Sequence, residues 1–438
     1  MRRQRNLWAL KGKQGMDKKQ GMVVCLRKGE VNVNMLKFVA LLLALCMVPV
    51  FALADDAPAY DSFKPMKELA EKHGFAFGAS MSFRHLKDQP YLDLLKYHFG
   101  SVTMNNEMKA YSLLNQTMCT LSKNGMPAMN YYQADKLVGW AQENGLKVRG
   151  HVLVWDAYMN DWFFREGYKS NAPYVDQETM KLRLESYITQ VITHFETEFP
   201  GVVYCWDVVN EAVGDNAGEY VAADPRHLRT TRNGGSNPFR DYVGEDYVEL
   251  SFLYAKNAVE ALGADIKLFY NDYNAFYEPK CSAICALVES INHYAQDENG
   301  NPRKLLDGVG MQGYIGGYGS QQGCMNDSDL YRLRASMKKY ADLDCEVQIT
   351  EMAVRNFEKD QAEKHAEFYT KVFDEFLRVN AGEKKPLTCV AIWGLTDNPN
   401  VSKNDYSYRM NGIYSGLVTE KYEIKPVFEK IYDMLNAE

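Results

Sequence analysis

Residues 204–215 read YCWDVVNEAVGD, Tyr204 to Asp215. Tyr204 to Val209 have the aromatic and β-branched character of a strand covered on both faces, and they are expected to belong to a core. The run then stops abruptly at Asn210-Glu211, an amide and a carboxylate side by side. A buried strand that delivers polar groups at its C-terminal tip is the signature of a parallel sheet whose strand ends form a mouth.

Working outward, seven further apolar runs have the same character: FAFGAS (75–80), SVTMNN (101–106), KVRGHVLVW (147–155), IKLFYND (266–272), DGVGMQGY (307–314), EVQITE (346–351) and LTCVAIWG (387–394). Between them lie stretches of helical periodicity such as YYQADKLVGWAQENGL, DYVELSFLYAKNAVEALG and DQAEKHAEFYTKVFDEFLRV. Eight strands that alternate with helices predict a single-domain (β/α)8 barrel over residues 55–438. A doubly wound open sheet is disfavoured, because no glycine-rich phosphate loop follows the first run.

The bulk numbers limit what such a barrel binds. The 438 residues are 46% hydrophobic and 24% charged, as expected of a globular chain. Aromatics reach 13%, with 29 Tyr, an excess that favours a surface on which flat ligands stack. Met35-Leu36-Lys37 followed by FVALLLALCMVPVFALA fits a secretory signal peptide over 35–54, cleaved before Asp55, with 1–34 an unstructured extension or mis-assigned start. The apolar run is too short for a permanent span, so the expectation is a secreted monomer with no membrane attachment after cleavage. Ten of the 50 Lys/Arg and two of the 57 Asp/Glu precede residue 55, which leaves 40 basic against 55 acidic residues, a net charge of −15. So negative a surface repels phosphate backbones, and no nucleic-acid partner is expected. Seven of the nine Cys lie beyond residue 54 without metal-ligand or CxxC spacing; they are expected to be buried small hydrophobes with one or two bridges among them.

The strand tips collect polar groups. They are Asn105, Asn106, Glu107 and Lys109; His151, Trp155 and Asp156; Asn210 and Glu211; Asn271, Asp272 and Tyr273; Gln312 and Tyr314; Glu351; and Trp393 with Asp397. Singly, His151, Gln312 and Asp397 would pass as packing residues. Converging on one face, the set reads as a site. Glu211 and Glu351 follow the fourth and seventh strands, across the mouth from one another. Such a pair suits glycoside hydrolysis, in which one carboxyl protonates the leaving oxygen and the other attacks the anomeric carbon. Desolvation and the charge of its partner keep one carboxyl of such a pair protonated. Trp155 and Trp393 offer faces for sugar rings. No HExxH, Ser-His-Asp or metal-ligand pattern competes, so neither metal nor cofactor is expected. AspGluAsnGly at 297–300 is a polar turn.

WDVVNEA (206–212), VRGHVLVW (148–155), MNNEMK (104–109), NDYN (271–274), GMQG (310–313), ITE (349–351) and WGLTD (393–397) together resemble family 10 glycoside hydrolases, mostly endo-β-1,4-xylanases. The motifs keep the family's order over nearly all of residues 60–438. The resemblance implies a (β/α)8 barrel that retains anomeric configuration, with Glu211 as acid/base and Glu351 as nucleophile. It places Asn210 on the 2-hydroxyl of the sugar at the cleavage point. It also places Asn106, Lys109, His151, Trp155, Gln312 and Trp393 on the glycone side, and Tyr273 toward the aglycone side. The implied partner is xylan or a related β-linked polysaccharide.

The chain departs from the family pattern at five places. Asn105 stands where the family has Glu, Asp156-Ala157-Tyr158 replace His-Ser-Gln, and a second tryptophan near Val401 is missing. Tyr314 and Ala353 replace a His and an Asp that serve the nucleophile. Their joint loss implies a replaced module, with the Tyr314 phenol donating to Glu351. These changes leave two alternatives open: a retaining glycosidase on another β-linked glycan, or a noncatalytic carbohydrate-binding protein on the same fold.

Overall fold

Strand β4 (Val203–Asn210) is covered on nearly its whole length, and Asn210 closes it. In the computed structural model, which describes residues 59–437 apart from 233, 318–324, 406, 407, 409 and 410, seven other strands share its direction. They are β1 (Ala76–Met81), β2 (Ser101–Met104), β3 (Lys147–Gly150), β5 (Lys267–Asp272), β6 (Gly308–Met311), β7 (Glu346–Val354) and β8 (Leu387–Ile392). Each pairs in parallel with its sequence neighbours, and β8 pairs with both β7 and β1, so the sheet closes on itself. A helix follows every strand: α1 (Gln89–His98), α2 (Tyr132–Glu143), α3 (Gln177–Glu198), α4 (Tyr247–Leu262), α5 (Lys280–His293), α6 (Ser328–Asp342), α7 (Ala362–Val379) and α8 (Pro426–Asn436). This is the (β/α)8 barrel predicted from the runs. The proposed extension over 1–34 and signal peptide over 35–54 lie outside the described residues.

Local chemistry sets the element ends. Asp176 caps α3 by accepting from the Thr179 amide at 2.8 Å. Helix α4 stops at Gly263, whose left-handed φ of +62° lets its amide reach back to the last carbonyls. Helix α7 buries Phe368, Phe373 and Phe376, the apolar stripe of its sequence. Among the described residues no helix is long and apolar enough to cross a membrane.

Two expected strands end elsewhere. Strand β3 stops at Gly150, and the chain beyond it is tied to β4 by hydrogen bonds from Leu153 to Asp207 (3.1 Å) and from Asn210 to Val154 (2.9 Å). Strand β7 runs past Glu351 to Val354, because Tyr314-Ile315 forms an extra parallel pairing with Ala353-Val354. Glu351 therefore sits within the strand, at a register irregularity between Ile349 and Met352, with ladder pairs before and after it in the chain. The expected cysteine bridges are corrected as well. Cys119, Cys205, Cys281, Cys285, Cys345 and Cys389 are all free thiols, five of them buried, so the apolar core needs no crosslink among the described residues. The 297–300 segment is a turn in which Asp297 accepts from the Asn299 and Asn301 amides at 2.9 Å.

The inside of the barrel is not wholly apolar. Tyr204 to Val209, read as core, include Asp207, which is fully buried and forms a two-pronged ion pair with Arg149 of β3. Arg149 also donates to Gln348 of β7 at 2.8 Å. Gly310 makes room for this interior: a Cβ there would lie 2.4 Å from the Asn271 side-chain oxygen and 3.0 Å from Arg149. Burial alone would push the Asp207 carboxyl up, but the Arg149 guanidinium and His151 hold it below its ordinary value.

Candidate active site

The Asp207 carboxylate points its remaining hydrogen bond at the mouth, where Oδ2 lies 2.8 Å from His151 Nδ1. That bond orients the His151 ring, whose centroid lies 6.4 Å from those of both Trp155 and Trp393. The two half-buried tryptophans thus flank one imidazole, and the three rings line one side of the cleft.

Just beyond β4, Glu211 turns sharply, with φ at +55°, while its amide donates to the Asn271 carbonyl at 2.8 Å. A non-glycine residue in this left-handed region is uncommon and must be held by its surroundings. Here the hold is on the side chain too. Glu211 Oε1 accepts from Gln312 Nε2 at 3.0 Å, and Oε2 accepts from Trp155 Nε1 at 3.2 Å and from Arg232 Nη1 at 3.1 Å. All three partners are donors, so none can take a proton from a protonated Glu211. When Glu211 carries its proton, a ligand oxygen or water in the cleft is the acceptor.

Asn210 is 1% exposed, and an amide chain orients it. Thr350 donates to Asn271 at 2.7 Å, Asn271 Nδ2 donates to Asn210 Oδ1 at 2.9 Å, and Gln312 adds a bond at 3.2 Å. These donors assign the Asn210 oxygen and leave its Nδ2 as a buried donor with no protein partner. Such a group is costly unless a ligand or water accepts from it.

Across the mouth, Glu351 is 7% exposed and accepts from the Tyr314 hydroxyl at 2.8 Å. Tyr314 is placed by its pairing with Ala353, so the two departures from the family pattern are neighbours in one ladder. Burial pushes the Glu351 carboxyl up, against the pull of His151, Lys109 and the Tyr314 bond, and the Glu211 charge adds to the rise. Lys109 Nζ lies 5.0 Å from the Trp155 ring centroid and 5.8 Å from that of Tyr158, and 3.3 Å from the Asn106 oxygen. Burial lowers the Lys109 ammonium, and the charges of Glu351, Glu211 and Glu107 counter it.

Several strand-tip residues have other duties. Glu107 accepts from the amides of Phe83 (2.6 Å) and Asn106 (3.1 Å) and so fixes the loop between β1 and α1. Asp397 is buried against Lys425 at 2.7 Å and accepts from the Gly416 amide, which makes it a support for the β8 end. Tyr273 is only partly free for a ligand: its hydroxyl donates to Asp215 and accepts from Arg229 at 2.7 Å, and Lys280 Nζ lies 3.8 Å from its ring centroid. Asn106 is exposed at the rim. Sequence reasoning missed Arg232, Arg149 and Asp207 as parts of the site. Opposite charges inside two strands predicted to be neighbours were the available signal for the last two. Arg232 lies in a long irregular segment with no periodicity to place it. Among the described residues no three His, Cys, Asp or Glu side chains gather as a metal ligand set.

A closed barrel that presents two buried glutamates, one just beyond β4 and one within the C-terminal half of β7, beside indole and amide groups, has the constitution of a glycoside hydrolase. Comparison with known proteins agrees. Residues 65–434 match the family described as Glycosyl hydrolase family 10. The chain is 34% identical over 308 residues to a putative endo-1,4-beta-xylanase of Caldicellulosiruptor saccharolyticus, a match that spans 68% of this chain and 89% of that protein. It is 32% identical over 359 residues to endo-1,4-beta-xylanase A of Thermotoga maritima, spanning 78% of this chain but only 28% of that longer protein. Among solved structures, the CBM22-1 and GH10 modules of the Clostridium thermocellum endo-1,4-beta-D-xylanase 10B, complexed with xylohexaose, superpose with a TM-score of 0.70 at 27% identity, covering 85% of this chain and 67% of that one. An intracellular xylanase of Thermoanaerobacterium saccharolyticum gives 0.66 at 27%, covering 85% and 99%. The chain belongs to glycosyl hydrolase family 10.

Proposed function

We propose that this protein cleaves internal β-1,4-xylosidic bonds of xylan with retention of configuration, Glu211 acting as acid/base and Glu351 as nucleophile. The pair of glutamates at the mouth carries the assignment. In the first step Glu351 attacks the anomeric carbon, the glycosidic C–O bond breaks, and the leaving oxygen takes the Glu211 proton. In the second, Glu211 takes a proton from water, whose oxygen bonds the anomeric carbon as the Glu351 ester opens. Once the ester forms, the Glu351 charge disappears, which lets Glu211 shed its proton and work as base. The unpartnered Asn210 Nδ2 supports a contact to a sugar hydroxyl beside the acid. Trp155 and Trp393 supply ring faces, and Lys109, His151 and Gln312 polar contacts.

The apolar run before Ala54 supports export of this activity by a cleaved signal peptide, and the mature chain is proposed to act as a soluble monomer outside the cytoplasm. A panel of soluble xylan, cellulose derivatives, mannan and β-glucan, assayed with wild type and Glu351→Ala, tests the function. Reducing ends released from xylan by wild type alone are expected. Release from another glycan in preference to xylan would overturn the substrate, and equal release by both proteins would overturn the catalytic assignment.

A further inference from the structure

Among the described residues Arg232 is the cation that contacts the Glu211 carboxylate, and its position is built into the fold. It lies on a two-stranded ribbon in which Thr231-Arg232 pairs antiparallel with Gly235-Ser236. Gly234 closes the turn with φ at +78°, a value that suits glycine in a two-residue hairpin loop. Asn237, fully buried, pins the base of the ribbon: its oxygen accepts from the Phe239 and Arg240 amides and its nitrogen donates to the Arg229 carbonyl at 3.1 Å.

From there one guanidinium makes two hydrogen bonds to Glu211 and one ionic contact to Asp156. Nη1 meets Glu211 Oε2 at 3.1 Å, Nη2 meets the Glu211 carbonyl at 2.6 Å, and Nε lies 2.8 Å from Asp156 Oδ1. Arg229 adds a bond to the same carbonyl at 3.1 Å. The Asp156 side chain is 2% exposed, and burial pushes its carboxyl up against the opposing pull of Arg232. Asp156 is also a place where the sequence departs from the family pattern, so this chain brings anchor and cation together.

We propose that Arg232, held beside Asp156, is a positioning residue for the acid/base: it locks the carboxylate and the left-handed backbone of Glu211. The proposal rests on the acid/base assignment of Glu211. The charged groups that face Glu211 are Arg232, Arg229 and Asp156 from the cleft wall, Lys109 from the end of β2, Asp272 from β5 and Glu351 from β7. Of these, Arg232 alone makes direct ionic contact. Removing Arg232 loosens the geometry on which the rate of the chemical step depends.

The experiment measures kcat and KM on xylotetraose for wild type, Arg232→Lys, Arg232→Leu and the double variant Asp156→Asn/Arg232→Leu. The double variant avoids leaving Asp156 buried without a cation. Expected for both leucine variants are a kcat about tenfold lower and a KM within about twofold. Arg232→Lys, which keeps a donor but not the two-pronged reach, is expected to regain part of the rate. A wild-type kcat in the folded double variant overturns the proposal, as does a loss confined to KM or Arg232→Lys behaving like Arg232→Leu. Glu211→Ala, measured beside them, separates the two layers. Undiminished activity there overturns the acid/base assignment itself, whereas a dead Glu211→Ala with a wild-type kcat in the double variant overturns only the role of Arg232.

Discussion

The indole nitrogen of Trp155 donates to Glu211 Oε2 across 3.2 Å, so the side chain proposed to stack on a sugar also orients the proposed acid/base. Phenylalanine keeps a ring but not the donor. Trp155→Phe is therefore expected to lower kcat on xylotetraose about tenfold while KM stays within about twofold, since a hydrogen bond that aligns the reacting group acts on the chemical step. Steady-state kinetics check this, and an effect confined to KM would assign Trp155 to binding alone.

Tyr314 supplies a phenolic hydrogen bond to Glu351, and that bond pulls the carboxyl down while burial pushes it up. In Tyr314→Phe the pull is lost, so Glu351 ionises at higher pH. A nucleophile must be ionised, and activity is thus lost first on the acid side. The acidic limb of kcat/KM is expected to move upward and the alkaline limb to stay. A pH profile in steps of half a unit measures the displacement.

Asn210 keeps its oxygen satisfied and its Nδ2 unpartnered. Asn210→Ala removes that donor and is expected to reduce kcat/KM about 100-fold, the usual scale for one aligned donor in an active site. 2-Deoxyxylosides, which lack the proposed acceptor, are expected to lose far less in the variant than xylosides do.

The Arg149–Asp207 pair lies wholly inside the barrel. Asp207→Asn leaves a buried guanidinium without its counter-charge and is expected to cost about 3–5 kcal/mol in urea unfolding at neutral pH. The wild-type carboxyl sits below its ordinary value in the fold, so its stabilisation is present above the ordinary carboxylate range and is lost as pH falls through that lowered value. The gap between wild type and variant is therefore expected to narrow only in strong acid.

Much of this molecule is legible in its sequence, and the parts that are not share a cause. Strand β4 could be read because Tyr204 to Val209 are largely apolar and Asn210-Glu211 are polar; that break marks both the barrel and its mouth. The end of β7 could not, because Glu351 resembles a strand terminus until Tyr314 pairs with Ala353, a contact between distant segments. Asp207 looks like a stray acid in an apolar run until Arg149 lies beside it. Arg232 has no local pattern at all: its meaning comes from Asp156, and neither residue announces the other across an irregular loop. Periodicity reports the environment of a segment, whereas charge pairing across the barrel depends on which segments meet.

The account's central claim is double displacement at Glu351 with Glu211 as acid/base. Proton NMR of xylotetraose hydrolysis, recorded within the first minutes before mutarotation, tests it most directly. The β-anomer is predicted as the first product, relaxing later to the equilibrium mixture; first appearance of the α-anomer would contradict a glycosyl ester on Glu351.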